Sequence, residues 1–387
     1  MTRVESRSGP VTVSLAGGGT GGHVVPGLHL LSHLHRMGAA PERVLWFLTG
    51  RAVEEEVLGG AGDAGDAGDL GCALERVVLR LEPPGGGAPS LARVARRLLP
   101  ETLRARRALK TSRASVLLGL GGFTSLPAAL AARTLRVPFA LLEINAAAGR
   151  ATRALAPLAT RVFHAWPDTA PSAGGSDAKH RVLGPPLSPE YLAEPATDAE
   201  AAEARAERGL DPARPLLLVL GGSQGAGALN AFVRARRDAL LAAGVQTVHQ
   251  VGPGRIAEGA APAPGYQPVE YLRPVHAALR AATLVLCRGG ASTIAEVGAA
   301  GRAAVVVPYP HSPDRHQEKN ARRLGDGAIV VDERELGDPT LALLLRLASE
   351  AGADERSRRA AASAAAVPRD AGTRIAAELL ELAALRG

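Results

Sequence analysis

Short apolar runs recur along the chain, and most are followed by glycine and then by a stretch with helical spacing. Residues 11–18 (VTVSLAGG), 43–50 (RVLWFLTG), 74–81 (LERVVLRL), 115–122 (SVLLGLGG), 138–145 (PFALLEIN) and 160–166 (TRVFHAW) read as strands. Their apolar residues are nearly continuous, as in strands buried on both faces of a parallel sheet. Helical spacing fills residues 26–37, a short stretch from 53, then 92–112, 127–135 and 148–159. A second series opens at 215–222 (PLLLVLGG) and continues through strands at 247–252, 267–272, 283–290, 304–310 and 328–332. Its helices are predicted after Ser223, around Ala277, from Ser292 and around Lys319. An amphipathic helix closes the chain over 370–385.

This alternation predicts an α/β protein of two Rossmann-like, doubly wound domains facing a cleft. The series restarts near residue 211. The predicted division is residues 1–186 with the tail 370–387, a linker and surface helix over 187–210, and a second domain over 211–369. Residues 59–71 are a low-complexity glycine–aspartate run and 167–179 a polar loop, both predicted to be irregular.

Composition narrows the picture. At 387 residues the chain is long enough for two cores. Aromatics make up 3%, so those cores must be built from Ala, Leu and Val. Two distant cysteines, Cys72 and Cys287, argue for a reducing compartment over a disulfide scaffold. No apolar run approaches the ~20 residues that span a bilayer, and the first ten residues lack the apolar core of a leader peptide. A cytoplasmic location is expected. The net charge is +7, and its excess is local. Arg93, Arg96, Arg97, Arg104, Arg106, Arg107, Lys110 and Arg113 face Glu101 alone within one segment, 93–113, most of it predicted helix. Leu98, Leu99 and Leu103 lie between these charges, a pattern that suits an anionic membrane surface or a solvated basic face. Nothing points to nucleic acid.

Candidate chemistry gathers where strands run into glycine. Residues 17–27 (GGGTGGHVVPG) place Thr20, Gly21 and Gly22 before a helix, where backbone N–H groups and the positive dipole end receive anions. Gly17, Gly19 and Gly22 match the dinucleotide fingerprint, but the second strand ends Leu48-Thr49-Gly50 without the acidic residue that would hold a ribose. No nicotinamide or flavin cofactor is therefore expected. His23 at the loop–helix junction is either a loop cap or a base facing the ligand. Residues 118–130 repeat the strand–Gly–Gly–helix design. Glu143 and Asn145 end a strand; Asn145 either binds a sugar group or caps the next helix. Ser223 is placed at a helix start suited to a pyrophosphate, without a Walker lysine. In residues 287–301, Ser292 and Glu296 share a helix face, and the carboxylate is positioned for ribose hydroxyls. Thr293 and Glu296 alternatively form a capping box. Asp314, His316, Gln317 and Asn320 crowd a last loop and helix. No D-x-D pair is present, so no metal is expected.

Taken in order, GGTGGHVVP, GLGGFTSLP, the Glu143–Asn145 strand end, LGGSQGA with Asn230, CRGGASTIAE and the Asp314–Asn320 loop resemble the bacterial peptidoglycan N-acetylglucosaminyltransferase family. The resemblance implies a type-B glycosyltransferase fold whose last helix crosses back to the first domain. It implies an inverting transfer of N-acetylglucosamine from UDP to the C4 hydroxyl of undecaprenyl-diphosphate-linked muramyl pentapeptide, on the cytoplasmic face of the plasma membrane. It places donor contacts on Thr20, Gly21, Gly22, Asn145, Ser223, Leu272, Ala291, Ser292, Thr293, Ile294, Ala295, Glu296 and Gln317. Glu296 would bind the ribose and the Leu272 backbone the uracil edge, with His23, or else Glu143, as base. Two departures stand out. Leu142 and Ile144 replace the family's His and Gln, and Ser188 stands where an arginine near the diphosphate is usual. Loss of such a charged contact costs about 1.5–3 kcal/mol. Rival readings are a UDP-sugar transferase to another lipid, a UDP-N-acetylglucosamine 2-epimerase, and a non-catalytic nucleotide-sugar binder.

Overall fold

The computed structural model describes residues 11–59, 72–81, 90–171, 178–258 and 261–386. The low-complexity run from residue 60 to 71 and part of the 167–179 loop lie outside them. The chain forms two compact units: residues 1–144, 148–189 and 370–387 in one, 145–147 and 190–369 in the other.

In the first unit the order is β1 (Thr12–Ala16), α1 (Gly21–Arg36), β2 (Arg43–Leu48), α2 (Ala52–Gly59), β3 (Ala73–Val78), α3 (Leu91–Thr111), β4 (Val116–Gly119), α4 (Ser125–Leu135), β5 (Phe139–Glu143), α5 (Arg150–Leu155), β6 (Arg161–His164) and β7 (His180–Val182). Its sheet runs β3-β2-β1-β4-β5-β6-β7, and every pair is parallel. The central strands are buried along their whole length, which is why their sequences read as apolar runs.

The second unit contains α6 (Asp198–Glu207), β8 (Leu216–Leu220), α7 (Gly227–Ala242), β9 (Gln246–Gln250), β10 (Tyr266–Val269), α8 (Val275–Ala281), β11 (Leu284–Cys287), α9 (Ala291–Ala299), β12 (Ala304–Val306), α10 (His316–Ala321), β13 (Ala328–Val330), α11 (Asp338–Ala348) and α12 (Ala353–Ala366). Its parallel sheet runs β10-β9-β8-β11-β12-β13. Both sheets reverse direction of winding between their first and fourth strands, the switch point where α/β sheets open a crevice beyond the strand ends.

Residues 190–210 are not a free linker. Thr197 and Glu200 form a reciprocal capping box on α6, and Arg205 on that helix donates to the Ala281 carbonyl at 3.0 Å and to Pro212. α6 is thereby fastened to the second unit. The last helix, α13 (Ala371–Ala384), belongs to the first unit. Glu378 on it accepts from Arg161 of β6 at 2.7 Å and from Arg181 of β7 at 2.9 Å. Thr373 bonds His33 of α1 at 3.1 Å.

Candidate functional site

In the first unit, β1 and β4 are neighbours, and the chain leaves both strands through glycine. α1 begins at Gly21, five residues before the expected start at Pro26, which lies inside the helix. Thr20 is its N-cap position, with extended backbone and no side-chain cap bond, and Gly21 and Gly22 form the first turn. The loop must be glycine. A Cβ on Gly17 would lie 2.6 Å from that of Leu120, one on Gly18 would lie 2.2 Å from Glu54 Oε1, and Gly19 has φ of +87°.

His23 lies over the loop that follows β4. Its Nδ1 is 2.9 Å from the Gly18 carbonyl, with Thr20 Oγ1 at 3.4 Å. A carbonyl only accepts, so Nδ1 carries the proton in that contact, and the basic atom of the neutral ring is Nε2. A Cβ on Gly121 would come within 3.1 Å of Nε2, so the backbone there packs directly on the imidazole. Glycine at 17–22, His23 and glycine at 121–122 thus form one cluster.

Glu143 does different work from that expected of a base. It is buried, and its Oε2 accepts from Gly149 N at 2.7 Å and from Thr152 Oγ1 at 2.6 Å, holding the start of α5. Gly149 is the N-cap of that helix, so Asn145 is not. Ser188 is buried. The carbonyls just before it are gripped by α1, Pro186 by His29 at 3.2 Å and Leu187 by His33 at 2.8 Å.

In the second unit, Ser223 is not at a helix start. Ser223 and Gln224 occupy a tight turn closed by Gly225 N to Gly222 O at 3.0 Å, and α7 begins only at Gly227. The reason is packing. A Cβ on Gly225 would lie 2.0 Å from the Val251 carbonyl, so the chain must complete a turn against β9 before it can coil. Gln250 at the end of β9 donates to the Gly222 carbonyl at 2.9 Å. Beneath it, buried His249 lies between Tyr266 OH at 2.9 Å and Asn230 Oδ1 at 3.0 Å, and Asn230 donates to the Val251 carbonyl at 3.0 Å.

β11 is the neighbour of β8 and opens the next glycine turn. Gly290 is the N-cap of α9, and Ala291, Ser292, Thr293, Ile294, Ala295 and Glu296 are its first six residues. Thr293 is therefore inside the helix, and the capping-box reading falls. Ser292 Oγ is buried with no hydrogen-bond partner among the described residues, and Glu296 is buried one turn further on. Cys287, before the turn, has its thiol pushed up to about 12 by complete burial, which makes it inert. Gly289 packs on α10: a Cβ there would lie 2.1 Å from the Gln317 carbonyl. Gln317 accepts from Tyr309 N at 2.9 Å.

Asn320, one of the polar residues of the last loop and helix, is fully buried and braces its surroundings. Its Oδ1 accepts from Ala146 N at 2.7 Å, and its Nδ2 donates to Gly289 O at 3.0 Å and to Asn145 Oδ1 at 3.3 Å. The Asn145 side chain is drawn into the same contact. Leu272 is buried in the connection from β10 to α8, which leaves its backbone as the usable part.

Two residues bonded to the glycine turns escaped sequence reasoning. Gln250 sits in a polar stretch of strand with no motif of its own. Glu54 is one of three successive glutamates that read as the charged face of a short helix; the structure buries it against the first glycine loop. Among the described residues, no three His, Cys, Asp or Glu side chains gather to hold a metal ion, and no helix is long and apolar enough to cross a membrane.

Comparison with known proteins agrees with this layout. Residues 13–164 match the glycosyltransferase family 28 N-terminal domain and residues 216–370 its C-terminal domain. The chain is 40% identical to the UDP-N-acetylglucosamine--N-acetylmuramyl-(pentapeptide) pyrophosphoryl-undecaprenol N-acetylglucosamine transferase of Sorangium cellulosum, over 96% of this chain and 89% of that one. It is 38% identical to the protein of the same name from Frankia casuarinae, over 93% and 96%. The crystal structure of MurG from Acinetobacter baumannii superposes with a TM-score of 0.69 at 26% identity, covering 96% of this chain and all of that one.

Proposed function

Since the chain belongs to the UDP-N-acetylglucosamine--N-acetylmuramyl-(pentapeptide) pyrophosphoryl-undecaprenol N-acetylglucosamine transferases of glycosyltransferase family 28, we propose that it performs their reaction. It moves N-acetylglucosamine from UDP to the C4 hydroxyl of the undecaprenyl-linked muramyl pentapeptide. The hydroxyl attacks the anomeric carbon, the bond to UDP breaks on the opposite face, and the centre inverts. His23 Nε2 takes the hydroxyl proton. Glu143 is a poor rival for that task, because its Oε2 is occupied at the start of α5.

The second unit holds the donor. The Ser223 turn and the start of α9 present backbone N–H groups to the diphosphate, whose departing charge they stabilise. Glu296 takes the ribose hydroxyls, and Gln317 and the Leu272 backbone complete the donor contacts. The observation that carries this reading is the turn into α9: a buried serine hydroxyl with no partner among the described residues at a helix start, and a carboxylate one turn behind it. Such a hydroxyl is costly unless a ligand completes it.

The first unit carries the membrane contact. On α3, Leu99 and Leu103 are exposed by 67% and 56%, among exposed Arg96, Arg104, Arg106, Arg107 and Lys110. Exposed leucines set among cations suit a peripheral enzyme on the anionic cytoplasmic leaflet, where its lipid-linked acceptor resides.

Steady-state kinetics on Glu296→Ala test the donor site. Loss of charge-assisted bonds worth about 1.5–3 kcal/mol raises the KM for UDP-N-acetylglucosamine roughly tenfold to a hundredfold, with the acceptor KM little changed. An unchanged donor KM removes Glu296 from the site.

A further inference from the structure

The peptide bond between Gly18 and Gly19 is held at both ends. Its carbonyl accepts from His23 Nδ1 at 2.9 Å, and its N–H donates to Glu54 Oε1. We propose that Glu54 is a positioning residue for the transfer reaction, which fixes the tautomer of His23 and raises its basicity through this single peptide group. The inference rests on His23 being the base.

Glu54 is 1% exposed, and each of its bonds uses it as an acceptor. Besides Gly19 N, its Oε1 receives Thr49 Oγ1 at 2.6 Å and Thr49 N at 3.0 Å; its Oε2 receives Gly50 N at 2.7 Å and Arg51 N at 3.1 Å. The carboxylate therefore cannot swing away. A Cβ on Gly18 would lie 2.2 Å from Oε1, so the close approach requires glycine. Arg51 secures the next peptide, donating to the Gly19 carbonyl at 2.9 Å.

A peptide whose N–H faces a carboxylate is polarised, and its oxygen becomes a stronger acceptor; hydrogen bonds in such a chain reinforce one another. The strengthened bond keeps the His23 proton on Nδ1, leaves Nε2 as the base, and stabilises the imidazolium once Nε2 has taken the substrate proton. A carboxylate bonded directly to a catalytic histidine does the same in serine hydrolases; here one peptide is interposed. Thr20 Oγ1 and the uncharged backbone of Gly121 and Gly122 also lie against the ring. Glu54 and Arg51 are charged groups bonded directly to this loop.

The test compares Glu54→Gln with the unaltered chain and repeats the comparison in a His23→Ala background. Acting through His23, Glu54→Gln lowers kcat about tenfold or more while the KM for UDP-N-acetylglucosamine stays within about threefold. The carboxylate favours protonated His23, so its loss also moves the acidic limb of kcat/KM to lower pH, and Glu54→Asp restores the limb. In the His23→Ala background the same change adds less than about twofold. An equal loss in both backgrounds, or an unmoved limb, overturns the proposal. Should Glu54→Gln not fold, nitrogen NMR of labelled imidazole in the unaltered chain decides: neutral His23 carries its proton on Nδ1, and a proton on Nε2 overturns it. An unaltered chain that transfers no sugar sinks the functional reading instead, and the tautomer then stands on its own measurement.

Discussion

Burial holds His249 neutral, with its acidity set at about 4 against an ordinary 6.5. The folded state thus refuses a proton that the unfolded chain accepts between those two values. Its contribution to stability is complete above about pH 6.5 and is lost as the pH falls toward 4, by as much as ~3 kcal/mol. Denaturant unfolding across this range checks it. His249→Leu removes that share of the pH dependence, and at pH 7 it lowers stability by roughly 1–3 kcal/mol, because Asn230 and Tyr266 lose this partner. A variant with the same pH slope as the unaltered protein contradicts the assignment. At this scale the sequence was unevenly legible. His23 and the α9 turn were visible because glycine marks them. Glu54 was not, since nothing local separates it from Glu55 and Glu56; only burial against a loop thirty-five positions away does. Asn320 shows the converse: an amide that braces three backbone and side-chain groups looks, in sequence, the same as one that waits for substrate.

The strands were the most legible elements, because double burial writes itself as an apolar run. α11 and α12 were missed. α12 is a mix of alanine, arginine and serine with little apolar periodicity, and it is recruited by neighbours: Ser363 packs on Gly327, and Arg359 donates to the Asp326 carbonyl. α13 shows how a helix is specified by contact. A Cβ on Gly372 would lie 2.2 Å from His33 Nε2, and His33 is pinned by Leu187 O and Thr373 Oγ1. Gly372→Ala therefore lowers unfolding stability by roughly 1–3 kcal/mol, outweighing the ~1 kcal/mol that alanine gains in helix propensity. A variant as stable as the unaltered chain would show that α13 does not sit there. For α3, vesicle sedimentation is the measure. Binding should require anionic lipid, weaken as salt rises, and fall when Leu99 and Leu103 are both changed to Glu. Binding indifferent to lipid charge and salt contradicts the membrane role.

At the scale of the whole molecule, the two sheets repeat one design, and the restart of the strand series near residue 211 announced it. The matched glycine turns lie beyond β1, β4, β8 and β11, at the two switch points where the winding reverses. What sequence did not deliver was the path of the chain between units: residues 190–210 fold as part of the second, and Asn145–Ala147 cluster with it although their neighbours belong to the first. Spatial contact decides such membership, and local pattern does not carry it. The most direct measurement is transfer by the full chain from labelled UDP-N-acetylglucosamine to undecaprenyl-diphosphate-linked muramyl pentapeptide, with the lipid product analysed. One labelled sugar should appear in lipid for each UDP released, with inversion, and His23→Ala should slow the transfer roughly a hundredfold to ten-thousandfold. Release of UDP or epimerisation of the sugar, with no label in the lipid, would contradict the account.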